Sequence, residues 1–142
     1  MKNSDITKWQ TKVDVSNKIL CQDGRMVALE SGLYAVYTQL YILAYPEEGV
    51  DEARADSLWH GVFRSNPADG KSVERAERAE EQLMKRYWTL TWKGSVVEVS
   101  SHLAGIFNLS SNDELSVRWS ILDKFEVSPD RKMTYFGMYR IH

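Results

Sequence analysis

At 142 residues, with 43% hydrophobic and 27% charged side chains, the chain can bury one sizeable core and is too apolar for disorder. A formal net charge of −2 leaves no basic surplus to neutralise phosphates, which excludes a general nucleic-acid binder. No apolar run approaches the ~20 residues of a bilayer span, so no membrane partner is expected; the lone Cys21 and the polar start Met1–Ile6 point to a cytoplasmic protein.

Residues 1–25 read as an N-terminal arm and 26–142 as a single domain. Within the arm, Val13 and Val15 alternate with polar neighbours, and Asp23-Gly24 punctuates the chain as a possible helix N-cap. From Met26 to Tyr45 the pattern predicts a helix. On a 100° wheel Leu29, Leu33, Val36, Leu40 and Leu43 share one side, with Tyr34, Tyr37, Tyr41 and Tyr45 as a phenol stripe beside them. Pro46 closes it. A second helix is expected over 49–63, with His60 on its surface, and an amphipathic third from Lys71 to Tyr87.

After Tyr87 the period changes from 3.6 to 2. Strands are expected at 88–92, 96–107, 115–127 and 133–141, joined by short loops as an antiparallel meander. The fold class is therefore α+β: N-terminal helices packed in a curved antiparallel sheet.

One face of the 115–127 strand reads Leu115, Val117, Trp119, Ile121, Asp123, Phe125, Val127. A carboxylate flanked by Ile121 and Phe125 loses solvation, which raises its pKa and suits a general base. Otherwise Asp123 is solvated near the strand end or pairs with a neighbouring cation. His102, midway through 96–107, is the candidate acid partner, or else a half-exposed surface histidine. Tyr34, Tyr37 and Tyr41 can polarise a carbonyl, or else pack as core. Trp59, Trp119 and Phe125 would wall the substrate site, although the tryptophans serve equally as core. The three histidines lack metal-ligand spacing and no phosphate loop occurs, so neither metal nor cofactor is expected.

The stretch Ser120-Ile121-Leu122-Asp123-Lys124-Phe125-Glu126-Val127, followed by Asp130-Arg131-Lys132-Met133-Thr134, resembles the last two strands of the nuclear transport factor 2-like superfamily. That group includes SnoaL-like cyclases and ketosteroid isomerases. The resemblance covers roughly residues 26–141. It implies a cone-shaped α+β barrel with a pocket at its open end, and places Asp123 at the position of a catalytic acid or base.

The expected function is a small cofactor-free enzyme, an isomerase, cyclase or dehydratase, moving protons on a hydrophobic oxygenated small molecule. The alternative is a non-catalytic ligand-binding or protein-interaction module on the same scaffold. A homodimer is expected, and on the alternative reading Trp88, Trp92, Phe136 and Met138 are candidates for the sheet surface that dimerises or holds a protein partner.

Overall fold

The computed structural model describes residues 2–5, 19–22, 24–45, 54–67, 80–92, 96–121, 125–128 and 134–142. They form ten strands: β1 (Lys2–Asp5), β2 (Ile19–Gln22), β3 (Arg25–Ala28), β4 (Gly32–Ala44), β5 (Arg54–Ser65), β6 (Glu81–Trp92), β7 (Val97–Leu109), β8 (Glu114–Ile121), β9 (Phe125–Val127) and β10 (Tyr135–Arg140). Among the described residues there is no α-helix, which overturns the expected α+β cone. Residues 49–53 and 71–79 of the expected second and third helices lie outside the described residues.

The physical reason is clearest in β4. Tyr34, Val36, Leu40, Ile42 and Ala44 are all buried, together with Thr38, while Tyr37 and Tyr45 of the other parity are exposed. Successive side chains of a strand point to opposite faces, so this alternation is a strand's signature. The segment is also rich in Tyr, Val, Thr and Ile, whose side chains favour a pleated surface. A near-continuous apolar run satisfies a helical wheel and a strand at once, and here the strand prevails. In β5 the same alternation buries Leu58, His60 and Val62.

Two antiparallel sheets result. The first has the order β2-β3-β8-β5-β6, with β1 pairing β8 at Arg118–Ile121, beyond the end of β3. Gly24, with φ at 73°, turns the chain between β2 and β3 in the left-handed region that glycine enters without steric cost. The second sheet has the order β10-β4-β7, with β9 pairing β4 beyond β10. The chain passes from β6 in the first sheet to β7 in the second and back to β8 in the first. The expected meander of the last strands therefore does not form, because neighbours in sequence lie in different sheets.

The inward sides of both sheets share one core. Leu58, Val62, Leu90, Leu115, Val117 and Trp119 of the first sheet meet Tyr34, Val36, Leu40, Ile42, Leu109, Phe136 and Met138 of the second. The molecule is thus a two-layer β sandwich of the kind that buries alternate residues from each strand. At the β7–β8 corner, Asn112 takes φ 72° and the buried Asp113 carboxylate accepts the Ser110 amide at 2.7 Å and the Asn66 side-chain amide at 2.7 Å.

Candidate functional site

The outer side of the β10-β4-β7 sheet is the most unusual surface among the described residues. The register sets three rows of three outward positions: Tyr139–Ala35–Ile106, Gly137–Tyr37–Ala104 and Tyr135–Gln39–His102. None of these nine residues is an Asp, Glu, Lys or Arg. Ile106 is 63% exposed, Tyr139 50% and Tyr37 36%, so large apolar side chains face solvent side by side. The rings form a group: Tyr37 lies 6.0 Å from Tyr135 and 6.5 Å from Tyr139, and His102 lies 6.4 Å from Tyr135.

Gly137 makes the middle row possible. A Cβ at this position would run into the ring and hydroxyl of Tyr37, so only glycine lets that ring lie flat across β10. Gly137→Ala is expected to swing Tyr37 off the face, at a cost of roughly 1–3 kcal/mol for the forced repacking. Shifted Tyr37 ring resonances in NMR spectra would check it; an unmoved ring would contradict the packing.

The outer side of the other sheet is different. Arg64 pairs with Glu81 and Arg118 with Glu80, Lys85 sits 4.2 Å over the Trp59 ring, and Arg118 lies 3.8 Å over Phe63. That surface is charged and solvated. An uncharged, aromatic, contiguous patch on one face only is the composition of a protein–protein contact rather than of a free surface.

Directly beneath the patch lies a buried polar cluster. His60 of β5, fully buried, reaches across the sandwich to β4 and β7 of the opposite sheet. Its Nδ1 is 2.9 Å from the Ser101 hydroxyl of β7 and its Nε2 is 3.4 Å from the Thr38 hydroxyl of β4. Thr38 donates to the Tyr135 carbonyl of β10 at 3.0 Å. With the Thr38 proton committed to that carbonyl, its oxygen accepts from Nε2–H, and Nδ1 accepts from Ser101. Burial, then the nearby His102 and Arg86 charges, lowers the His60 pKa from 6.5 to about 3.

The residues singled out by sequence scatter over this scaffold. Tyr37 and His102 do share the aromatic face. Tyr34 points the other way, into the core, where burial raises its pKa and its hydroxyl donates to the Glu30 carbonyl at 2.7 Å. Tyr41 lies further along the outer side of β4, its pKa raised by a hydrogen bond to Glu98. Trp119 is core, and Trp59 stacks edge-on to Phe63 on the opposite outer surface. Phe125 contributes backbone pairing with Ala44, and Asp123 lies outside the described residues.

Parity also reassigns the expected interface residues. Phe136 and Met138 are buried, and Trp88 packs partly buried against the core, whereas their neighbours Tyr135 and Tyr139 face out. Those two, with Ile106 and Gly137, were missed. His60 was assigned to a helix surface; Leu58-His60-Val62 read with period two would have placed it inside.

Comparison with known proteins gives two concordant matches. A family model for the TNF (Tumour Necrosis Factor) family matches residues 7–141. The mouse (Mus musculus) protein "Tumor necrosis factor ligand superfamily member 6" is 30% identical over 118 residues, 83% of this chain. The chain spans 37% of that protein's length.

Proposed function

Because the chain belongs to the tumour necrosis factor family, we propose that it is a receptor-binding ligand domain, assembled as a homotrimer through the outer face of β10-β4-β7. Membership overturns the resemblance to the nuclear transport factor 2-like superfamily, and with it the SnoaL-like isomerase, cyclase or dehydratase reading. Tumour necrosis factor family proteins are cytokine ligands rather than enzymes, and they bind receptors and form trimers. The small-molecule substrate and the homodimer are corrected accordingly.

The observation that carries the assembly is the nine-position face without a formal charge. Burying Ile106, Tyr37, Tyr135 and Tyr139 against another copy removes a large apolar area from water, at about 25 cal/mol per Å². Tyrosines are also favoured at such contacts, giving much area for little lost side-chain freedom. A ring of three closes when each copy presents this face to the common axis, leaving no sticky end. The charged outer side of the other sheet then stays in solvent.

A receptor half follows from the assembly. Wild-type protein at neutral pH should bind at least one purified ectodomain from a panel of tumour necrosis factor receptors, measured by biolayer interferometry. Binding by none of the panel would remove the receptor assignment while leaving the assembly to be judged by solution mass.

A further inference from the structure

We infer that His102 sets the pH range over which the proposed trimer holds together: its imidazole is hydrated in a separate chain and covered in the assembly, so acid drives the copies apart. The inference rests on the trimer reading and adds how that same face is regulated.

His102 is an outward position of β7 and is exposed in the single chain. It closes the row Tyr135–Gln39–His102 at one end of the uncharged face. Covering that face with other copies takes water from the ring in every copy. A group whose surroundings change on assembly couples its proton to assembly. His60 differs in this respect: buried within each chain, it has the same neighbours whether the copies are together or apart.

Once water is gone, the surroundings favour the uncharged imidazole. From β4 its register partner is Gln39, with Tyr37 and Tyr41 as the next outward positions. From β10 it meets Tyr135, with 6.4 Å between ring centroids. Along β7 its outward neighbours are Ser100 and Ala104. Glu98 lies roughly 13 Å further along the strand, at ~3.3 Å per residue, and its carboxylate is hydrogen-bonded by Tyr41. Beneath the sheet stand His60 and its register partner Arg86 of β6, neither of them negative. The nine positions of the face thus offer an imidazolium no carboxylate, and desolvation without a partner disfavours the charged form. The edge-on contact with Tyr135 is present within each chain, so it favours neither side.

The direction follows from linkage. An imidazole in water takes its second proton below about pH 6.5; a covered one takes it only at lower pH. Separate chains therefore bind more protons than the trimer as pH falls. Association is at full strength above about pH 6.5 and is lost below it. At pH 5.5, a ring that charges only in the separate chain shifts the balance about tenfold per copy.

The test is sedimentation equilibrium at pH 7.4 and 5.5 on wild type, His102→Gln and His142→Gln, with circular dichroism alongside. Glutamine takes no proton, and each protein is compared with itself at the two pH values, so a changed affinity at pH 7.4 does not enter. The dissociation constants of wild type and His142→Gln should rise by at least ~10-fold at pH 5.5 with the sheet signal intact. His102→Gln should lose most of that rise. An equal rise in wild type and His102→Gln overturns the inference, as does a rise that comes with loss of the sheet signal. A wild-type trimer indifferent to acid overturns it and leaves the trimer standing. A wild-type monomer at pH 7.4 sinks the trimer, and the inference with it. If His102→Gln does not assemble at pH 7.4, imidazole NMR decides: His102 should charge at lower pH in the wild-type trimer than in Ile106→Arg, where a charge on the same face keeps the copies apart. Equal midpoints overturn the inference.

Discussion

Ile106→Arg yields a folded monomer. Ile106 is 63% exposed in the single chain, so replacing it should change the stability of the isolated sandwich by no more than ~0.5 kcal/mol. In the assembly the same position lies on the uncharged face beside Ala35 and Tyr139, and an arginine there is desolvated without a carboxylate partner. Leaving a charge buried and unpaired costs roughly 3–5 kcal/mol, and a ring of three meets that cost at every contact. The trimer dissociation constant should rise by at least ~100-fold, from about 1.4 kcal/mol per tenfold. Size-exclusion chromatography with light scattering would show it, and circular dichroism would confirm the retained sheet. A variant that stays trimeric would mean that Ile106 is outside the contact.

Leu40→Ala strongly destabilises the protein, and Leu43→Ala barely does. The two leucines lie three residues apart and would share one side of a helix, where equal losses would be expected. In β4 they fall on opposite faces: Leu40 is fully buried among the core of both sheets, and Leu43 is only half-buried at the outer end. Truncating a fully buried leucine removes transfer energy and leaves a cavity, at roughly 2–5 kcal/mol. For a chain of this size that lowers the melting temperature by about 4–20 °C, at about 2–4 °C per kcal/mol. Leu43→Ala should cost under about 1 kcal/mol. Similar melting temperatures for the two variants would contradict the strand register of β4.

That pair also shows how far the sequence could be read. In the second half, period-two alternation located the strands well. Leu115, Val117 and Trp119 were grouped on one face, and all three are core. In the first half, Tyr34, Tyr37, Tyr41 and Tyr45 fit a helical stripe by spacing alone, yet parity sends Tyr34 inward and the other three outward. A long apolar segment satisfies both periods, and the β-branched and aromatic content was the tie-breaker passed over. Sheet membership was not legible at all. Whether β7 pairs with β6 or with β4 depends on residues more than fifty positions away, which no local window contains.

The candidate site suffered from the same misreading. With Phe136 and Met138 expected on the exposed side of the last strand, the face was assigned to the wrong parity, and a slip of one residue reverses every side chain. His60 shows the converse. Its neighbours Leu58 and Val62 marked an inward strand position, but within an expected helix the same residue looked solvated. His102 and Tyr37 were selected for proton transfer and carbonyl polarisation. The structure puts both on the outer face of the β10-β4-β7 sheet, the face proposed as the contact between copies.

The most direct test of the central claim is the mass of the wild-type chain in solution. Sedimentation equilibrium at neutral pH and micromolar concentration should return three times the 16.4 kDa chain, with no dimer at any loading. A species of one or two chain masses across that range would contradict assembly of this face around a threefold axis.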